Sequence, residues 1–345
     1  MNKSSENARF LSQFPKKTFL RLVLLSVLVS LVFVGLLGIG ADWENIDFSV
    51  DGSWLAGAVV SMILLQCLSG YRLYCLLLPQ PQPVRHPLAN SIRVMFLFQA
   101  LLKLLPFRLG EAAYFWLMQR QLGTPFKDNL GVYLRFRIWD FRIIAMCFLL
   151  FGGLLLRHRV PWGDAAFLVV GVFGVALFVI SSFRLVRFGE FVFRKLHGMI
   201  PFFQWTEGVA KTLAESAYSL EHVKNMRGSI MTGVQSALVW GMYFAVFYCL
   251  FKCVGIPIEW PVAVLVSSGS ILIGILPIQT LGGIGLMEMG QASLLVLAGL
   301  SPSIAAGKSL TVGALFFGLC VVVPAGLYAT FAVWERLAGE FGERR

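Results

Sequence analysis

Apolar runs long enough to cross a bilayer recur from one end of this chain to the other, and they leave few other folds open to it. A spanning helix needs about 20 mostly apolar residues to cover a hydrocarbon core of about 30 Å. Runs near 20–40, 54–78, 141–156 with its flanks, 165–183, 230–251 and 309–333 meet that length. Across 345 residues the charged fraction is 14%, against about 25% in a soluble domain whose surface must face water. The expected class is an all-α polytopic membrane protein with about six full transmembrane helices. The first run is too long for the apolar core of a cleavable signal, so it is expected to remain as a helix.

Two further regions, 94–118 and 262–300, are apolar but interrupted by proline and glycine. Val94–Leu105 reaches about 18 Å as a helix and Pro106–Met118 about 20 Å, so neither crosses alone. Charge supports a dip and return. Basic residues collect on cytoplasmic loops, and Arg85 and Arg93 precede the first break while Arg120, Lys127 and Arg135 follow it. The region is therefore expected to be a re-entrant pair. Lys3, Arg9, Lys16, Lys17 and Arg21 place the N-terminus inside, Asp42, Glu44, Asp47 and Asp51 place the next loop outside, and Arg336, Arg344 and Arg345 place the C-terminus inside. The net charge of +11 reads as this bias rather than as a nucleic-acid surface. Arg72 counts with the inner loop, and Arg135 and Arg142 read as anchors at the membrane edge.

The order of elements is span, span, broken pair, span, and then the same series with opposite polarity. That is the pattern of an inverted-topology repeat. The expected division is a cytoplasmic tail at 1–18, a first membrane repeat at 19–160, a second at 161–335, and a tail at 336–345. The second repeat carries an amphipathic segment on the inner surface at 184–229. The breaks carry related residues: Leu105-Pro106-Phe107-Arg108-Leu109-Gly110-Glu111 in the first, and Leu276-Pro277, Gly282-Gly283-Ile284-Gly285 and Glu288 in the second. Proline removes a backbone donor and stops the entering helix, and Gly110, Gly282, Gly283 and Gly285 let the chain reverse. Unwound backbone at this depth must face protein or water, and the N-terminus of an exiting half-helix attracts an anion.

The candidate substrate-binding residues are Arg108, Glu111, Arg137, Asp140 and Glu288, with Pro106 and Pro277 as hinge positions beside the glycines. Arg108 is a fork suited to phosphate. Glu288 is a carboxylate in apolar sequence, costing about 2.5–3.5 kcal/mol on insertion scales; it reads either as a proton or charge carrier or as the cap of a half-helix. Arg137 and Asp140 share a helical face at i, i+3 and read as a structural lock or as a headgroup site. Six cysteines and four histidines show no ligand spacing, so no metal or cofactor is expected, and no nucleotide-hydrolysis motif is present.

These paired motifs, with Arg137-Ile138-Trp139-Asp140 between them, resemble the flippase-like membrane domain of bacterial lysyl-phosphatidylglycerol synthases, in the form of a standalone YbhN/AglD-like homologue. The resemblance covers about 15–335. Phe107 and Phe136 stand where that family's pattern has glycine and glutamate. The resemblance implies movement of an anionic lipid or lipid-linked sugar between leaflets of a bacterial inner membrane, and no lysyl transfer, because no soluble aminoacyl-transferase domain follows. Membrane lipids are the expected partners, with envelope-lipid biosynthetic proteins as a further class. The competing readings are a lipid-modifying enzyme using Glu111 or Glu288 as acid or base, and a non-catalytic partner of an envelope-lipid synthesis complex. The threading is checked by cysteine labelling: positions between Asp42 and Asp51 should react from outside and those between Arg184 and Arg227 from inside. Labelling of 120–137 from outside would remove the first re-entrant pair.

Overall fold

In the computed structural model the described residues are 16–41, 49–78, 87–105, 109–124, 126–157, short pieces between 164 and 174, 226–274 and 283–342. Among them every regular element is a helix: α1 Lys16–Gly40, α2 Gly52–Leu77, α3 Pro87–Leu104, α4 Leu109–Leu122, α5 Phe126–Arg157, α6 Met226–Cys253, α7 Trp260–Gly274, α8 Leu286–Leu297 and α9 Pro302–Gly342. Four contain windows long and apolar enough to cross a membrane, at Gly52–Leu77, Asp128–Leu155, Ile230–Cys253 and Pro302–Thr330. The chain is a multi-pass membrane protein. The 165–183 run falls largely outside the described residues, and so does the expected amphipathic segment at 184–229, of which the start of α6 alone is described.

Helices α2 and α6 form the axis of the molecule, packing antiparallel along their length. The Asp51 amide donates to the Cys253 carbonyl at 3.0 Å, tying the start of α2 to the end of α6. Asp51 also caps α2, accepting from the Ser53 amide at 2.8 Å and the Ser53 hydroxyl at 2.6 Å. These bonds, the hydroxyl's foremost, hold its carboxyl below the usual carboxylate range. Apolar burial gives helices little drive to associate within lipid, so small residues at close crossings take over. Gly57 meets Cys249 and Gly233 meets the Trp139 ring at such distances that an added Cβ would press on each.

Both interrupted regions are pairs of short helices packed on each other, α3 with α4 and α7 with α8. The first differs from the sequence expectation in length. Helix α3 begins at Pro87 rather than Val94 and has 18 residues, about 27 Å. Asn90, Ser91 and Arg93 interrupt the apolar pattern without interrupting the helix, and the Ser91 hydroxyl returns to the Pro87 carbonyl at 2.8 Å. Pro87 suits a first turn, where its missing donor is not needed. The other halves are shorter, with 14 residues in α4, 15 in α7 and 12 in α8.

The glycines at the reversals act in two ways. Gly283 and Gly285 have φ of +83° and +90°, the left-handed region that a side chain makes costly. Gly110 serves instead by close approach, since a Cβ there would overlap the backbone of Leu101 and Leu102 across the pair. Pro106, Arg108, Pro277 and Gly282 lie outside the described residues.

Each broken pair also packs on one long helix. Helix α3 lies against α9, and α7 lies against α5, each to a similar extent. Two apolar clusters result. One joins α2, α6, α7, α8 and α9 around Phe247, Leu250, Phe251 and Phe316. The other joins the end of α2 to α3, α4 and α5 around Phe98, Tyr114, Leu117 and Phe136.

Candidate functional site

Between the two clusters lies a cavity of about 500 Å³, lined by both. Leu105, Gly274 and Gly283, which flank the two breaks, all border it. Among the described residues five charged side chains line it: Arg72, Lys103, Glu111, Arg137 and Asp140. Three cations against two carboxylates leave it one positive charge in excess. Aromatic rings, Phe98, Phe136, Trp240 and Tyr243 among them, supply much of the remaining wall.

Asp140 pairs with Arg72 of α2, and this partner differs from the Arg137 expected from sequence. The two oxygens of Asp140 lie 2.5 and 3.3 Å from the Arg72 guanidinium nitrogens, and both side chains are almost fully buried. Arg72 also donates to the Ser236 hydroxyl of α6 at 2.8 Å, and its guanidinium sits 4.9 Å from the Phe136 ring centre. The pair therefore clamps α2, α5 and α6 at one point. Arg72 belongs to this clamp and not to the inner loop, because α2 continues to Leu77 and carries the guanidinium inward. Phe136 gives that cation an aromatic face. Arg142 differs from its expected edge position in a similar way, being buried with its guanidinium 5.1 Å from the Trp139 ring.

Arg137 turns to another partner. It donates from Nε to the Tyr133 hydroxyl at 2.9 Å and from a terminal nitrogen to Glu111 at 3.3 Å. The Arg137 and Glu111 side chains are 34% and 31% exposed. That exposure makes the pair soft: partly solvated ion pairs contribute about 0–1 kcal/mol, so an incoming anion can compete for the guanidinium. The buried Arg72–Asp140 pair is the opposite case, since stripping one partner leaves a desolvated charge.

Lys103, at the end of α3, is a site residue that the sequence reading missed. Its ammonium lies 4.9 Å from the Phe316 ring centre of α9 and 3.9 Å from the Met287 sulfur of α8, so it joins the first broken pair to the second. A single lysine in an apolar stretch was the available signal. Glu288 sits beside the cavity rather than in its wall: Leu286 and Met287 line it and Glu288 does not. The Glu288 carboxylate accepts from the Gly285 amide at 2.5 Å, reaching back from the third residue of α8 to the N-cap backbone. It also fills the space where a Cβ on Gly313 of α9 would sit. The structure thus brings Glu111, Arg137 and Asp140 to one cavity, sets Glu288 behind its tip, and adds Arg72 and Lys103.

An interior cavity bounded by two broken helix pairs and held by a buried ion pair defines a multi-pass membrane protein with a central polar site. The family described as the transmembrane region of lysylphosphatidylglycerol synthase matches residues 23–324, and the chain belongs to it. No curated protein and no solved structure matches the chain.

Replacing Asp140 with leucine should cost about 3–5 kcal/mol, because Arg72 is left charged and unpaired. The double variant Arg72→Met with Asp140→Leu should recover most of that loss. Thermal unfolding of both in detergent is the check; equal losses would mean that the pair does not clamp the helices.

Proposed function

We propose that the protein moves an anionic lipid, or a lipid-linked sugar, between membrane leaflets, with the headgroup passing through the cavity and the acyl chains remaining in lipid. The observation that carries this is Arg137, its side chain a third exposed, in a cavity with net positive charge bordered by the flanks of both helix breaks. A volume of about 500 Å³ falls within the range of about 300–1,000 Å³ found for small-molecule sites. It suits a headgroup and excludes a whole two-chain lipid. The fork of Arg137 suits a phosphate, and the aromatic walls suit glycerol or sugar faces.

In this reading the two halves, 19–160 and 161–335, are inverted repeats of three spans and one re-entrant pair each. The reciprocal packing of α3 on α9 and α7 on α5 supports that relation. Rocking of one half against the other would open the cavity to each leaflet in turn. The Arg72–Asp140 clamp would keep α2, α5 and α6 together as this occurs, while the softer Arg137–Glu111 pair opens to admit the headgroup. Arg108, the residue just before the start of α4, would add a second phosphate ligand. The membrane is the bacterial inner membrane, with both termini in the cytoplasm and anionic lipid drawn to the basic inner face. The protein acts by transport, not as an enzyme, with membrane lipids as its partners and envelope-lipid biosynthetic proteins as its suppliers.

Reconstituted vesicles carrying labelled phospholipids test this by the rate of leaflet exchange. A hydrogen bond between charged groups is worth about 1.5–3 kcal/mol, so Arg137→Ala should slow exchange about 10- to 100-fold. Arg137→Lys should recover part of the rate, keeping charge but losing the fork. Wild-type rates in Arg137→Ala would remove the headgroup site.

A further inference from the structure

Among the buried side-chain polar atoms that lack a hydrogen-bonding partner within the described residues, two lie along the seam between α8 and α9. They are Gln291 Oε1 and Ser309 Oγ, on side chains 1% and 0% exposed. Other buried hydroxyls nearby behave differently. Ser267, Ser268 and Ser270 each donate to the carbonyl one turn earlier at 2.6 Å, and the partly buried Thr311 does so at 3.0 Å. Ser309 has the same option in the Ala305 carbonyl and does not take it. Buried polar atoms are nearly always satisfied, and water is the partner that such groups take where a site is polar and has room for it.

The register sets both atoms behind Glu288. Helices α8 and α9 reverse direction through 298–301, and the Glu288 carboxylate lies against Gly313. One helical turn toward the reversal, Gln291 follows Glu288 on α8 and Ser309 precedes Gly313 on α9, on the faces that make this contact. The next residue, Lys308, is buried and donates to the Val254 carbonyl just beyond α6. The end of α6, the start of α7 and the α8–α9 reversal all lie on that side of the molecule. Buried polar side chains therefore succeed one another along the seam, from Glu288 beside the cavity toward that side of the molecule.

We propose that Glu288, Gln291 and Ser309, joined by water, form a proton path along the α8–α9 seam that loads and unloads the Glu288 carboxylate. A proton from water on that side passes by exchange along the hydrogen-bonded waters and ends on a Glu288 oxygen, turning carboxylate into carboxylic acid. Return to water on the cavity side restores the carboxylate. Gln291 and Ser309 hold and orient the waters and are not themselves ionised. The ionisable groups facing Glu288 are Lys103 from α3 and Tyr243 from α6, with Cys320 of α9 beside those two. Helices α1 and α7 bring none at 24–40 or 260–274. Neutralising Glu288 removes its attraction for Lys103, the side chain that joins the two broken pairs, so proton uptake would loosen them from each other. This deepens the transport reading by supplying a coupling ion, and rests on that reading only for its use.

Infrared difference spectroscopy of the protein in lipid nanodiscs tests the path without any lipid movement. A pH titration should show a protonated carboxyl band that is missing from Glu288→Gln and that shifts on exchange into heavy water. Combining Gln291→Leu with Ser309→Ala should slow that exchange by about tenfold, as expected for loss of about one hydrogen-bonded bridge, with elution volume and thermal midpoint unchanged. Should the double variant fail to fold, Ser309→Ala alone, which removes one oxygen, reads the same quantity. A Glu288 band absent at every pH, or exchange at the wild-type rate in the variants, would overturn the proposal. So would an experimental map with Gln291 and Ser309 bonded directly and no water between them. A protein that passes the infrared test yet exchanges no lipid in vesicles would refute the transport reading and leave the path standing.

Discussion

A helix that breaks at membrane depth exposes peptide groups that lipid cannot satisfy, and the architecture follows from where those breaks are turned. The flanks of both point to one central cavity. Helix α3 packs on α9 and α7 packs on α5, so each broken pair is covered on one side by the long helix that follows the other. The same arrangement gathers charge that no single helix could carry into lipid alone. Arg72, Lys103, Glu111, Arg137 and Asp140 come from α2, α3, α4 and α5, and meet at the cavity wall.

Two ion pairs on neighbouring turns of α5 divide the work. The Arg72–Asp140 pair is buried, shared with Ser236 and stacked on Phe136. Breaking it is expensive in either direction, which suits a fixed joint among three helices. The Arg137–Glu111 pair is a third exposed on each side and can open at little cost. A rigid joint beside a soft, water-facing pair gives a proposed headgroup site that can change partners without loosening the scaffold.

Much of this was legible in the sequence, and the rest was hidden for definable reasons. Helical class, the two broken pairs and the reversals at Gly283 and Gly285 follow from run length and from glycine and proline placement. Family membership could be read from the paired motifs. The partner of Asp140 could not: periodicity shows that Arg137 and Asp140 share a face, but a contact with Arg72 across 68 positions depends on how α2 crosses α5. Arg72 was counted with a loop because charge counting treats every base near the end of a run as solvated; the apolar residues Leu73 and Cys75–Leu78 after it were the overlooked sign. Glu288 illustrates a third limit. Its two readings, helix cap and charge carrier, are compatible, since one carboxylate oxygen accepts the Gly285 amide while the group as a whole borders the α8–α9 seam.

The central claim is that a lipid headgroup occupies the cavity, and photo-crosslinking tests it directly. A photoreactive phenylalanine analogue at Phe98, buried in the cavity wall, is irradiated in native membranes and the adducts are read by mass spectrometry. The same analogue at Leu24, on the exposed face of α1, reports bulk lipid. A headgroup-binding cavity predicts phospholipid or lipid-linked sugar adducts at Phe98 that disappear with Arg137→Ala while those at Leu24 persist. An absence of lipid adducts at Phe98, or adducts indifferent to Arg137, would contradict it.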